Sequence, residues 1–469
     1  MPPEVFVPIP IRSLARRATG GRLAASLLFL IIHIVVFTVH TDRAARSFDA
    51  CAVPANTIPG LPEPRFFPDN DPYAWMAHTR DLMASNGWRI RWTFMDNAPY
   101  GREMHWSHPL IWTLRGMATG IIAVTGWPVA RAVELAGIWV MPLFQFLFLG
   151  LAWVVLARKQ GWFPGGLFVF LCLSLTGFAN AFYPLLPDHH GLQLATGLFS
   201  FICLQLGGMG WTRTGPTAPA SIGSGPFRSL SIPPPQEACR WFIASGVFGG
   251  LALWLGATVW LFGLAITALA AATVLPSLFR PPSSGHRYHA NLWRIWAFVG
   301  SAVAAGGYLL EYAPAHFAMR LEVNHPLYWL CWIGVAECLR VAGRCASLRF
   351  WQNRRAADWT FVVLGFSAAL ALPLLVLYYP NEWHYMNDPL LQRLVAGFIK
   401  ELKPPWASIR DQPVGFFYSN FGLLPLVAGG TVFELYRSWR RPGISDILLR
   451  PAVVFAAFYF LLMLYQMRW

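Results

Sequence analysis

Charge is scarce in this chain. Of its 469 residues only 12% are Asp, Glu, Lys or Arg, against about 25% in a soluble globular domain. Lysine is scarcer still, with three in all: Lys159, Lys400 and Lys403. The seven cysteines form no C-x-x-C pair and no metal-ligand spacing, which leaves no zinc-ribbon or disulfide framework to read. Cys172, Cys203, Cys331 and Cys338 lie in apolar runs, where the thiol acts as a small hydrophobe. The alternating ten-residue segments of a transmembrane barrel are also missing. What is abundant is apolar: 56% of the residues are hydrophobic, with mean hydropathy +0.45. Apolar runs of about 18 residues or more recur, each long enough to cross a bilayer core as a helix. Lipid cannot satisfy backbone polar groups, so helices are the economical structure. The net charge of +14 comes from arginines at the ends of these runs. That is the positive-inside pattern, and no nucleic-acid partner is expected.

The fold class is therefore an all-α polytopic membrane protein of about eleven transmembrane helices with a long first outer loop. Arg12, Arg16, Arg17 and Arg22 precede the first run and place the N-terminus in the cytoplasm, with span 1 at 23–39 uncleaved. The first outer loop covers 41–131. Its apolar stretch 108–124 is interrupted by Arg115 and Gly116 and is read as a surface helix, which keeps Arg158 and Lys159 inside. Spans follow at 133–157, 164–182, 191–208, 241–257, 258–276, 294–310, 326–343, 358–379, 414–433 and 447–466. The Gly-, Pro- and Ser-rich stretch 209–240 reads as a flexible cytoplasmic loop, and 380–413 as an outer loop. The whole chain, 1–469, forms one transmembrane domain.

Sorted this way, the inner loops are arginine-rich and the outer loops carry acids, histidines and tryptophans. Three outer features stand out. In FFPDNDPYAWMAHTR, Asp69 and Asp71 form a D-x-D, and Arg80 closes the stretch. Two close carboxylates bind a hard divalent cation, and the same residues also make a good turn. In LLPDHHGLQ, Asp188, His189 and His190 sit beside a span. Carboxylate with imidazole suits Mn²⁺ or Zn²⁺, or Mg²⁺ through the carboxylate; the other reading is a helix N-cap with two interfacial histidines. In FIKELKPPWAS, Glu401 lies between Lys400 and Lys403. Lysine is a point-charge ligand for phosphate, and the plainer reading is a solvated helix face. His105 and His108 in YGREMHWSHPLIW also face outward, as do His316, Arg320, Glu322 and His325, at positions where an interfacial role is common.

The order of these features resembles the catalytic subunit of oligosaccharyltransferase, including its single-chain archaeal and bacterial relatives, which are membrane glycosyltransferases of the GT-C fold. DNDPYAWMAHTR is similar to that family's first-loop acid followed by a pattern like DPYYHxR. PYGREMHWSHPL resembles the stretch leading into its surface helix, PDHHG its second acidic motif, and IKELKPPW the glutamate and prolines of its fifth outer loop. The resemblance covers roughly residues 20–435. It departs at the C-terminus. The family carries a soluble domain that reads the Asn-x-Ser/Thr acceptor, and this sequence ends at Trp469 directly after a span. Acceptor recognition from a partner is the expectation that follows.

What the resemblance implies is specific. Asp71, Asp188 and His190 would hold a divalent metal, Mn²⁺ or Mg²⁺, with His105 a fourth ligand; Asp69, His189, His108 and Arg80 are further candidates. The metal would neutralise the phosphate of a polyprenyl-linked sugar donor. Asp71 and Glu401 would position the acceptor and take its proton, whether the acceptor is a glycan, a lipid or a protein. From charge placement, not from the resemblance, Lys400, Lys403 and Arg393 would clamp the donor phosphate. Transfer would be inverting, at the periplasmic face of a bacterial inner membrane. A transporter or lipid-linked sugar flippase is the alternative. Its usual marks, charges at mid-span and paired broken helices, are not evident in the sequence.

Overall fold

The computed structural model describes residues 71–85, 87–95, 98–104, 106–214, 232–279, 285–313, 324–346 and 444–465, with shorter pieces between 27 and 42 and between 363 and 436. The principal helices are α1 (Asp71–Ala84), α2 (Pro109–Thr125), α3 (Val129–Gln160), α4 (Trp162–Ser174), α5 (Thr176–Asn180), α6 (His190–Leu206), α7 (Pro235–Leu255), α8 (Ala257–Ala272), α9 (Asn291–Tyr312), α10 (Pro326–Ala346) and α11 (Ile444–Tyr465). Two antiparallel ribbons join them. β1 (Trp92–Thr93) pairs with β2 (Arg102–Glu103), and β3 (Trp211–Arg213) with β4 (His286–Tyr288).

Three helices among the described residues are long and apolar enough to cross a membrane: Val129–Gln160, Pro235–Leu255 and Val259–Leu278. Eleven spans were expected. Of the other expected spans, those at 164–182 and 191–208 are represented by the shorter apolar helices α4 and α6, and those at 358–379 and 414–433 lie largely outside the described residues; α2, read as a surface helix, is likewise a short apolar helix. The span expected at 164–182 is broken. Leu175 is extended between α4 and α5 (φ −76°, ψ 106°), and Ser174 Oγ bonds back to Leu171 O at 3.1 Å. A serine that satisfies a carbonyl of its own turn competes with the helical ladder. The 209–240 stretch is also more ordered than read: it opens with β3, and α7 begins at Pro235. Residues 215–231 lie outside the described residues.

Helix direction is fixed by side-chain pairs. Gln193 near the start of α6 donates Nε2 to Leu255 O at the end of α7 (3.1 Å), and Ser200 Oγ meets Ser245 O (2.8 Å), so α6 and α7 are antiparallel. α7 and α9 run parallel at very close range. A Cβ on Gly246 would stand 2.7 Å from Trp296 O, and one on Gly250 would stand 2.5 Å from Gly300 O. This is the small-xxx-small contact that lets membrane helices touch backbone to backbone. Asn324 Nδ2, just before α10, reaches Ala304 O at 2.6 Å, and α10 returns antiparallel to α9. Trp293, Trp296 and Trp332 fill the core between them.

Two ends result. The starts of α6 and α10 share one end with the finishes of α7 and α9. At the other end β3 leaves α6 and β4 enters α9, and the ribbon closes it. Arg213, Arg240, Arg287, Arg294, Arg340 and Arg344 belong to this second, basic end, with Arg158 and Lys159 of α3. The 32-residue α3 is about 48 Å long at 1.5 Å per residue, well beyond what a bilayer core requires. Met141 and Gly137 lie beside Gly191 and Pro187 at the start of α6. The residues of α3 before them project past that level. α2 packs on this projecting half, through Leu110, Ile111, Leu114 and Ala118 against Ala132, Val133, Ala136 and Val140. It ends on Gly126, whose left-handed backbone (φ 69°) returns its N–H to Ile122 O, a common C-cap.

Candidate functional site

The end opposite the arginines gathers the acids and histidines. α1 opens with Asp71, an acid in the first turn, where the helix dipole favours it. Asp71 is exposed. Residues spaced by four and seven share a helix face, so Trp75 and His78 follow Asp71 down one side of α1. Trp75 is fully buried (0% exposed) and donates its indole Nε1 to Asp188 Oδ1 at 3.3 Å. α1, which opens with Asp71, and the PDHH segment, far apart in sequence, therefore meet through one tryptophan.

Asp188 lies in the turn before α6 and is 7% exposed. Its Oδ1 accepts from the His189 backbone N–H (2.6 Å) and lies 2.8 Å from His189 Nδ1; its Oδ2 lies 2.5 Å from His190 Nδ1. Burial alone would raise the pKa of this carboxyl. The His190 and His189 imidazoles, through charge and hydrogen bonding, outweigh burial and hold it well below the usual carboxylate range. The two imidazoles lie against each other, tilted by 33° with ring centres 4.6 Å apart. His189 also rests against Trp75 (5.3 Å) and Trp106 (6.3 Å), and those two indoles are 4.4 Å apart.

Asp188, His189 and His190 each offer one ligand atom, all within 4.8 Å of one another. One carboxylate and two imidazoles make a donor set suited to Zn²⁺ or Mn²⁺. Both imidazoles are held by the carboxylate they flank, the second-shell style of bond that fixes ligand orientation. The residues fit a divalent cation.

His108, a further candidate histidine, is engaged elsewhere. Its Nε2 accepts from Ile90 N–H (2.9 Å), its Nδ1 lies 2.5 Å from Glu311 Oε2, and its backbone N–H donates to Glu311 Oε1 (2.8 Å). Trp254 Nε1 donates to the same carboxylate at 2.9 Å. With both ring nitrogens committed, His108 has no lone pair for a metal; it pins the start of α2 to the end of α9. Arg80 is exposed, and nine residues beyond Asp71 it stands about half a turn round α1 from the site face. Asp69, His105, Arg393, Lys400, Glu401 and Lys403 lie outside the described residues. The sequence reading passed over His78, which is buried and edge-on to Trp106 at 5.9 Å. The seven-residue spacing from Asp71 was the signal for it. Nothing local in the sequence marked Glu311.

The same end of the bundle carries an apolar groove of about 640 Å³. α2, α3, α6 and α7 form its walls, with Trp112, Phe148, Leu192, Phe248 and Trp254 among the lining residues. Leu192, Trp254 and Leu255 place the groove at the acid–histidine end of the bundle, and Leu192, two residues after His190, stands about 200° round α6 from it.

No protein-family model matches the chain, and no curated protein matches it. Solved structures do. The archaeal oligosaccharyltransferase AglB from Archaeoglobus fulgidus, in complex with an inhibitory peptide and a dolichol-phosphate, matches 93% of this chain with TM-score 0.60 and 15% identity. The Archaeoglobus fulgidus oligosaccharyltransferase in complex with Zn and sulfate matches 91% with TM-score 0.54 and 13% identity. The form tethered with an acceptor peptide containing the NVT sequon matches 93% with TM-score 0.56 and 14% identity. This chain spans about half the length of those proteins, 46–48%. The fold is oligosaccharyltransferase-like, and the family resemblance read from the motifs is borne out at that level.

Proposed function

We propose that this protein is a membrane glycosyltransferase that moves a sugar or oligosaccharide from a polyprenyl-phosphate or -diphosphate donor to an acceptor at the acid–histidine end. One observation carries the reading. In an oligosaccharyltransferase-like fold, the Asp188–His189–His190 cluster is bonded through Trp75 to the helix that opens with Asp71. The neighbours solved with Zn, with a dolichol-phosphate and with an acceptor peptide fit the same chemistry.

In this reading Asp188 and His190 hold a divalent ion together with Asp71, and His189 contributes a further nitrogen. Bound there, the ion supplies positive charge against the phosphate that departs with the lipid. The apolar groove beginning at Leu192 takes the isoprenoid chain, because a hydrocarbon tail is at home on an apolar wall. The indoles of Trp75 and Trp106 shield the carboxylate from water, which strengthens every charge interaction made there. Asp71, exposed on the open side, orients the acceptor with Glu401, and Lys400, Lys403 and Arg393 take the donor phosphate. Transfer is inverting, and the site faces the periplasm of a bacterial inner membrane.

The test is calorimetric titration of Mn²⁺ and Zn²⁺ into detergent-purified protein, with Asp71→Ala and Asp188→Ala alongside. Saturable binding that weakens in both variants is the expected result, followed by metal-dependent transfer from a polyprenyl-linked sugar in reconstituted membranes. Binding indifferent to both substitutions, or no transfer by a metal-loaded protein, overturns the proposal and moves weight to a transporter.

A further inference from the structure

The β1–β2 ribbon exposes a group of large apolar side chains that the transfer site does not use. Trp92 is 53% exposed, Phe94 67%, Met95 44% and Tyr100 79%, with Trp88 at 49% just upstream. Five such residues within thirteen positions exceed the scattered apolar exposure of an ordinary surface and mark an interaction face. The turn is built to hold them outward. Gly101 is left-handed (φ 71°), and a Cβ there would stand 2.5 Å from Trp92 Nε1 and 2.8 Å from Phe94 Cδ1. Glycine is the residue that lets the two rings close over the backbone.

The depth of the ribbon is fixed by its anchors. Arg89 donates Nη1 to Leu310 O at 2.7 Å and Nη2 to Ala313 O, capping the last carbonyls of α9. Glu103 of β2 lies close enough to Tyr308 to act on it electrostatically. Glu311, one residue after Leu310, takes the indole N–H of Trp254 in the last turn of α7, a helix long and apolar enough to cross a membrane. The ribbon therefore stands level with the end of a span. Leu309 and Leu310 on that last turn of α9, the turn to which Arg89 ties the ribbon, are themselves half-exposed. Tryptophan and tyrosine at that level are the side chains of the membrane–water boundary, with an apolar body and a polar tip. Arg91, exposed on the same ribbon, adds a cation that anionic headgroups attract.

We propose that this ribbon rests in the phospholipid headgroup layer and seats the first loop on the membrane surface. The partner is the bilayer itself rather than a second protein. The ribbon follows α1 in the chain, and seated this way it sets the height of Asp71 and Trp75 above the lipid.

The experiment is photo-crosslinking of the full chain in nanodiscs of phosphatidylethanolamine and phosphatidylglycerol. A benzophenone amino acid replaces Phe94 in one variant and Tyr100 in another, both exposed positions. Phe262, on a candidate span and half-exposed, serves as the lipid-facing control, and the exposed Arg287 of the basic-end ribbon as the second control. Lipid adducts at Phe94 and Tyr100 comparable with those at Phe262, and fewer at Arg287, are the expected result. Crosslinks to a second copy of the chain, or no lipid adduct at either ribbon position while Phe262 captures lipid, would overturn it.

Discussion

The two ends of the bundle handle carboxylates differently. At the basic end, Glu237 meets Lys159 across α7 and α3. Glu337 is gripped by Arg294 (2.5 Å) and Arg340 (2.7 Å). Each of these two acids is neutralised by a cation that belongs to the chain. At the other end, Asp188 meets two imidazoles and an indole. An imidazole is neutral or charged according to its surroundings, and an indole is never charged. Neutralisation of Asp188 can therefore pass to an ion that comes and goes, whereas neutralisation of Glu337 cannot. Under the proposed function, the difference separates a charge used to hold helices together from a charge kept available for chemistry.

The largest expected effect tests the structural side. Arg340 is 2% exposed and Glu337 5%. Removing one partner of a buried ion group strands the other, at a cost of about 3–5 kcal/mol. Glu337→Gln is expected to lower the thermal midpoint strongly in detergent while leaving metal titration of the folded fraction unchanged. The double variant Glu337→Leu/Arg340→Met should recover much of the loss, because replacing a buried pair by apolar groups of similar volume is often neutral. If Glu337→Gln left stability intact but removed metal binding, the division between the two ends would collapse.

A smaller effect tests whether the acid–histidine end is itself divided. His108 and His190 are both half of a short histidine–carboxylate contact, at 2.5 Å in each case. His108 has both nitrogens engaged by Glu311 and Ile90, and His190 belongs to the ligand group. His108→Phe leaves a buried carboxylate and a backbone N–H short of a partner, at about 1–3 kcal/mol. Its expected signature is a lower thermal midpoint with the metal isotherm preserved. His190→Ala is expected to give the reverse, weaker metal binding at nearly unchanged stability. Identical signatures would show that the two histidines serve one structural role.

Much of this was legible in the sequence because it is local or compositional. The arginines at run ends foretold the basic end, and PDHH placed a carboxylate and two imidazoles in one turn without any knowledge of the fold. What could not be read depends on partners far away in the chain. His108 stands among the further candidates because Glu311, 203 residues distant, is invisible from YGREMHWSHPL. The β3–β4 ribbon joins a glycine-rich stretch to a basic loop, and neither half has strand periodicity of its own. The break at Leu175 depends on a serine hydroxyl turning back on its own helix, and serine does that only in some surroundings. The face of α1 is legible in the spacing from Asp71, which puts Trp75 and His78 on one side, while the further candidate Arg80 falls about half a turn away.

The smallest expected effect concerns the pair that most resembles an ordinary surface salt bridge. Lys159 and Glu237 are each about a third exposed, at 38% and 32% of their side chains. Water screens such a pair, and both side chains lose freedom in forming it, so it contributes roughly 0–1 kcal/mol. Glu237 keeps a second partner in any case, because Trp241 Nε1 donates to it at 3.1 Å. Lys159→Met should therefore shift the thermal midpoint little, and less still in high salt. The methionine keeps an unbranched stem, and the stem of a long cationic side chain can cover apolar surface. A loss as large as that of Glu337→Gln would mean that the end of α3 is buried in a contact that exposure does not reveal, and that the basic end acts as one charge network instead of two separate pairs.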